Sequence, residues 1–532
     1  MTGHLEVERK FDVDGGFALP DLTGVDGVAS ADPPVEHDLE AVYHDTADLR
    51  LARARVTLRR RTGGHDAGWH LKLPAAAGAR QEVHEPLGRA VRTPPRALRD
   101  LVLGITRGAA TAPVTTLSTR RLATVLRDGD GRALAEIADD TVCATVPAAG
   151  AGLPAQQVSW RELEVELVDG DAELLDRLVD RVLAAGATVS SSASKLTRAL
   201  GDRLAQLDGG PEAPPEVAAK GAKGKKGKKA KKSRAEKQPP TGADVVLAAV
   251  RQQVDALRDA DLMIRTGQPD AVHKFRVACR RLRSILAAFR PVLDRTATDP
   301  LRDELRWLGE QLSDARDGEV ALAHLSELVT DQPPELIPGP VAARVQQSRL
   351  REGLRGAEEA RRTVDDPRYL RLVDALHALL AEPPLAAEAG EPAPGVLRKA
   401  VRRSGRRLRH RVDDARQAGA EDRMHALHES RKAAKRVRYT GEVAVDTLGS
   451  SASALVDCME RVQDVLGEVQ DTEVTRGWCE RMGREAMAAG ENPFAFGRLH
   501  ALEEARAEAA ARAFWALEPT LHPMLEATTK KP

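Results

Sequence analysis

Two runs of the chain set ionisable side chains two residues apart. In HLEVERKFDV, residues 4–13, Glu6, Glu8 and Lys10 alternate with Val7, Arg9 and Phe11; in WRELEVEL, residues 160–167, Glu162, Glu164 and Glu166 alternate with Leu163, Val165 and Leu167. An extended chain turns alternate side chains to opposite faces, so each run gives a charged face and a largely apolar one. The cations follow the same rule. Arg55, Thr57, Arg59 and Arg61 share a face of RVTLRRRTG, His70 and Lys72 share one in WHLKLP, and Arg121 and Arg127 share one in RRLATVLRD. A wetted sheet face would also alternate, but glutamates in a row repel one another unless cations intervene. A closed barrel with a polar lumen, acidic strands facing basic ones, meets that requirement. Converging Arg and Lys bind linked phosphates, and clustered glutamates suit Mg²⁺ or Mn²⁺. Together these groups are equipped for metal-assisted phosphoryl chemistry on a triphosphate. No His, Cys and Ser spacing offers a rival nucleophilic site.

A second constellation occurs twice. HKFRVACRRLR, residues 273–283, aligns without a gap on HESRKAAKRVR, residues 428–438, pairing His273, Arg276, Arg280, Arg281 and Arg283 with His428, Arg431, Lys435, Arg436 and Arg438. Downstream, LSDARDGEV matches LGEVQDTEV, setting Asp317 and Glu319 against Asp471 and Glu473. At about 100° per residue, His273, Arg276, Arg280 and Arg283 form one stripe, and Phe275, Cys279, Leu282, Leu286 and Phe289 form another. A charged helix face in water normally carries acidic residues one turn away. These ridges carry almost none, so they read as an anion-binding surface, repeated by duplication of a helical hairpin.

The elements that position these groups fall into three parts. Residues 1–207 carry short alternating runs broken by Gly, Pro and Asp, with DGDG (128–131) as a hairpin turn and a helix from Asp171 to Gly186. Residues 208–241 are Pro, Gly and Lys with few large apolar side chains, the composition of a disordered linker whose lysines would touch nucleic acid only weakly. Residues 242–526 show helical periodicity throughout. The expected fold class is therefore α+β multidomain: an N-terminal antiparallel β tunnel with flanking helices, then an all-α domain of two repeated bundles. Lys+Arg and Asp+Glu are equal at 80 each, so overall charge selects no partner. Four widely spaced cysteines make no zinc or disulfide framework, and neither a membrane span nor a signal peptide is evident. A cytoplasmic protein is the expectation.

The EVERK stretch, with YHDTADLRL (43–51), TLRRR, LKLP, ELEVEL and SKLTRAL in order, resembles the CYTH superfamily of triphosphate tunnel metalloenzymes. That resemblance implies an eight-stranded tunnel that hydrolyses triphosphates with a divalent metal. It implies Glu6, Glu8, Glu164 and Glu166 as metal ligands, Glu6, Glu8 and Lys10 as catalytic groups, and Lys10, Arg59, Arg61, Lys72, Arg121 and Lys195 as phosphate ligands. Arg80, Glu82, Glu136 and Asp139 fit the motif loosely. The helical half, with its doubled His-x₂-Arg-x₃-[Lys/Arg]-[Lys/Arg]-x-Arg pattern, resembles the CHAD domain, which implies two four-helix bundles around a basic pore binding inorganic polyphosphate. The expected function is hydrolysis of inorganic triphosphate or short polyphosphate in the tunnel, with polyphosphate bound by the helices. Sequestration without turnover and cyclisation of ATP are the alternatives.

Overall fold

A computed structural model describes residues 2–64, 66–74, 80–88, 92–148, 154–192, 194–207, 239–419 and 422–530, except for the side chains of 2–5 and 313–317. The expected linker at 208–241 lies outside the described residues apart from 239–241, as does the side chain of Asp317. The chain divides into two compact units, residues 1–228 and 229–532.

The first unit is built on strands β1 (Thr2–Glu6), β2 (Glu8–Val13), β3 (Ser30–Ala31), β4 (Val35–Asp45), β5 (Thr57–Thr62), β6 (Gly68–Pro74), β7 (Arg80–Pro86), β8 (Ala112–Arg127), β9 (Ala133–Val146), β10 (Gln156–Leu167) and β11 (Thr188–Val189). They form one antiparallel sheet in the order β1-β7-β6-β5-β4-β8-β9-β10-β2-β11, with β3 beside β8. Because β1 and β2 are consecutive on either side of Val7, the path returns on itself and the main strands make an eight-membered ring. Closure leaves no long unpaired edge. It also places β5 and β10 four strands apart in either direction, directly across the barrel.

Helices α1 (Arg50–Arg53), α2 (Arg96–Leu101), α3 (Leu103–Thr106), α4 (Ala172–Ala184), α5 (Lys195–Ala199) and α6 (Gly201–Gln206) cover this sheet. Phe11, Ile137, Leu163 and Val165, the apolar partners in the alternating runs, are buried under Leu174, Leu178 and Val182 of α4. Asp171 caps α4 by accepting from the Leu174 amide at 2.7 Å, and Gly186 after it has φ 104°, a conformation that favours glycine. The hairpin turn between β8 and β9 closes at Asp128, whose carboxylate accepts from the amides of Asp130 and Arg132. A register shift at Leu126/Arg127 turns Arg127 onto Asp32, 2.8 Å away, so it does not share the face of Arg121. Arg55 likewise precedes β5 in a left-handed turn at φ 59°.

The second unit is all helix: α7 (Gly242–Arg265), α8 (Ala271–Ala288), α9 (Arg295–Gln311), α10 (Ser313–Thr330), α11 (Val341–Asp365), α12 (Pro367–Ala381), α13 (Ala393–Gln417), α14 (Arg423–Leu448), α15 (Ser450–Ala488), α16 (Phe494–Leu517) and α17 (Leu521–Thr529), with two short 3₁₀ turns. The duplicated segments are α8 and α14. Phe275, Cys279, Leu282 and Leu286 of α8 are buried with Ala434, Val437 and Ala444 of α14 in one core. Where the first copy breaks at Leu312 between α9 and α10, the second runs unbroken through α15. A smaller apolar cluster joins α10, α11, α15 and α16 through Leu322, Val345, Trp478 and Phe496. Among the described residues, no helix is long and apolar enough to cross a membrane.

Candidate functional site

The barrel encloses a cavity of about 270 Å³ lined by the charged faces of its strands. Glu6, Glu8, Lys10, Arg59, Arg61, Lys72, Arg121, Glu164, Glu166 and Lys195 all reach it, joined by Arg80, Glu82 and Glu136. Asp139 does not. It stands on the outer face, held by Arg161 at 2.7 Å, while its neighbour Asp140 points inward.

Strand register sorts the inward carboxylates into two groups. Asp140, Glu162 and Glu164 offer oxygens within 4.8 Å of one another, a geometry that could hold a metal ion. Their charge is already met from within the chain. The Lys195 ammonium, at the first turn of α5, lies 2.8 Å from Asp140, 2.8 Å from Glu162 and 2.7 Å from Glu164. Arg121 grips Asp140 through two bonds of 2.8 and 2.7 Å and reaches Glu164 at 2.8 Å. Lys10 contacts Glu164 as well, and the Trp160 indole donates to Glu162 at 2.5 Å. Burial alone would raise the Glu164 pKa, but Lys10, Lys195 and Arg121 hold it well below the usual carboxylate range.

In the second group Glu6, Glu8 and Glu136 have Lys72, Lys10 and, at 3.9 Å, Arg121 beside them, whereas Glu166 makes no ion pair among the described residues. Glu8 faces Glu166 across β2 and β10, and Glu166 faces Glu136 across β10 and β9, so three carboxylates stand in a row. Like charges directly opposite are destabilising. Burial, with Glu6 and then Glu8 and Glu164 nearby, pushes the Glu166 carboxyl up to about 8. Glu8 keeps a lowered pKa despite its burial because Lys10 lies 2.8 Å away. Glu6, the fourth carboxylate here, takes two bonds of 2.5 and 2.7 Å from Lys72. Among the described residues the oxygens of these four do not gather within 4.8 Å as those of Asp140, Glu162 and Glu164 do; what they share is register on facing strands and a wall of the same cavity.

Across the barrel the two arginines differ: against its burial, Tyr43, Glu82 and Glu6 push the Arg59 pKa up, while Arg61 is the crowded cation. Burial and the neighbouring Arg59 and Arg121 press the Arg61 pKa down to about 9, even with the half-exposed Asp66 in contact. The Nε atoms of Arg59 and Arg61 are buried and have no hydrogen-bond partner among the described residues. Arg59 is oriented by the Tyr43 hydroxyl at 3.3 Å. His70 is buried against Glu82 at 2.6 Å, and burial takes its pKa down to about 4, so it contributes no cation near neutrality.

The helical unit holds a larger cavity of about 640 Å³. Of the ten repeat residues, His273, Arg276, Arg280, Arg283, His428, Arg431, Lys435 and Arg436 line it, whereas Arg281 and Arg438 both pair with Glu442, at 3.2 and 3.0 Å. Burial and the surrounding Arg431, Arg280 and Arg276 lower Lys435 to about 7. Burial with Arg407 and Arg302 lowers Arg436 to about 10. Arg431 lies across α15, where a Cβ on Gly467 would meet its guanidinium at 2.9 Å. Arg302, Arg407 and Arg411 also line the cavity and lie outside the repeat; the four-residue spacing of Arg403, Arg407 and Arg411 was the available signal.

Comparison with known proteins gives two family matches: a CYTH domain at residues 4–200 and a CHAD domain at residues 248–480. An uncharacterized protein of Mycobacterium tuberculosis is 37% identical over 516 residues, 95% of this chain and 94% of that protein. Among solved structures, PptA from Streptomyces chartreusis is 20% identical with a TM-score of 0.44, covering 53% of this chain and 100% of that one. The CHAD domain of the plant Ricinus communis is 24% identical with a TM-score of 0.43, covering 55% and 95%.

Proposed function

Because the chain belongs to the family that joins a CYTH domain to a CHAD domain, we propose that its barrel hydrolyses inorganic triphosphate or short polyphosphate and that its helical unit binds polyphosphate. CYTH domains are typically enzymes acting on triphosphates with a metal ion. The observation that carries the reading is that one buried lumen holds Glu166, which has no ion-pair partner among the described residues, and Arg61, a guanidinium crowded by Arg59 and Arg121. A metal–triphosphate complex supplies a cation to the one and an anion to the other.

Glu8, Glu166 and Glu136, with Glu6, would hold Mg²⁺ or Mn²⁺, which when bound neutralises phosphate charge and lowers the pKa of an attacking water. Arg59 and Arg61, which line the lumen, would bind the phosphate oxygens opposite. Tyr43 fixes the Arg59 fork. Lys10 and Lys72 now neutralise Glu8 and Glu6, and would be released to phosphate if those carboxylates held a cation. Lys195 and Arg121 keep Asp140, Glu162 and Glu164 charged and in place, so their role is to hold the acidic wall. The reacting groups are buried, which strengthens each of these interactions.

Phosphate release from inorganic triphosphate with Mg²⁺ or Mn²⁺ tests the reading. Wild-type protein turns it over; Glu8→Gln and Arg59→Met each lose at least about a hundredfold, the scale of one transition-state contact. Tight triphosphate binding with no release under any metal would leave a sequestering protein instead.

A further inference from the structure

Two lysines line the cavity of the helical unit, and they differ in environment. Lys432 is exposed and paired with Glu429 at 2.8 Å. Lys435, one turn further into the cavity, makes no ion pair among the described residues, and the groups acting on it are Arg431 on its own helix, Arg276 and Arg280 on α8, and Asp471 on α15. Burial disfavours its charge, and among the described groups that act on it most the three guanidiniums outweigh the one carboxylate, so the amine gives up its proton more readily than an exposed lysine. The aligned residue in the first repeat is Arg280, whose delocalised guanidinium offers no nucleophilic nitrogen. The second repeat thus sets a single desolvated amine inside a cluster of phosphate-binding forks.

We propose that Lys435 is an acylation site for small acyl phosphates, whose phosphate is held by Arg276, Arg280 and Arg431. A buried amine beside other cations is the arrangement that makes lysine nucleophilic near neutral pH, and its pKa of about 7 agrees. The neutral nitrogen attacks the acyl carbon and a C–N bond forms. The C–O bond to phosphate breaks, and inorganic phosphate departs with the proton that nitrogen loses. The product amide is uncharged, so acylation removes one cation from the cavity and weakens its hold on a polyanion. That consequence rests on the proposed polyphosphate binding; the acylation site itself does not.

The test is a time course of the full-length protein with acetyl phosphate at about pH 8, with peptide mass mapping of every lysine. Lys435 is expected to react at least about tenfold faster than Lys432, and saturating inorganic triphosphate to slow Lys435 selectively. Prior treatment then lowers polyphosphate affinity in wild-type protein but not in Lys435→Arg. Labelling of Lys435 no faster than Lys432 would overturn the proposal. Fast labelling of Lys435 that triphosphate fails to slow would overturn it as well, because the arginines would then not be holding the phosphate of the acyl donor.

Discussion

Replacing Glu166 by Gln should stabilise the metal-free barrel, an unusual outcome for a change at a buried charged position. Its carboxyl rises from 4.5 to about 8 through burial and the adjacent glutamates. The folded pKa lies above the unfolded one, so between these limits the native state holds a proton that the unfolded state has released. Stability therefore falls as pH rises from about 4.5 to about 8. At about 1.4 kcal/mol per pKa unit the full cost approaches 5 kcal/mol, and relaxation of the row makes about 2–5 kcal/mol the working range. For a domain of this size that is roughly 5–15 °C in Tm. Thermal unfolding of the metal-free protein from pH 5 to pH 8 should show the barrel transition of the wild type falling and that of Glu166→Gln staying level. Mn²⁺ should restore the wild type at pH 8 and help the variant much less. If the two proteins fall together with pH, Glu166 is not the unneutralised charge that the row requires.

Three further outcomes follow from other sites. Lys195→Met leaves Asp140, Glu162 and Glu164 without their shared ammonium, and breaking a buried ion network should cost about 3–5 kcal/mol by denaturant unfolding. Asp45, fully buried, accepts from the amides of Thr46, Leu51 and Ala52, so Asp45→Ala orphans three donors and should lower barrel stability by about 2–4 kcal/mol. Polyanion binding in the helical unit should take up a proton at Lys435, whose pKa of about 7 lies below its usual value; affinity then falls as pH rises past 7, and calorimetry in buffers of different ionisation heat should detect the uptake.

Alternation made the inward faces legible. Glu6, Glu8 and Lys10, and Glu162, Glu164 and Glu166, reach one side of the sheet because each run keeps strict period two. The pairing among these groups was not legible, because it depends on register between strands far apart in the chain. Glu164 and Glu166 look alike in sequence, yet one meets Lys10, Lys195 and Arg121 while the other faces Glu8 and Glu136. Lys195 sits at a helix start with no local sign that it enters a carboxylate cage. Arg127 left the lumen face through a bulge that its sequence does not announce. In the helical half the duplication exposed the ridges, but Arg281 and Arg438 were lost to Glu442, a residue outside the compared segments.

The most direct measurement is the anomalous signal of Mn²⁺ in crystals of the full-length protein grown with inorganic triphosphate. One strong peak is expected between Glu8, Glu136 and Glu166, with triphosphate density reaching from it toward Arg59 and Arg61. A peak among Asp140, Glu162 and Glu164 with Lys195 displaced, or an empty lumen beside saturated surface sites, would contradict that expectation.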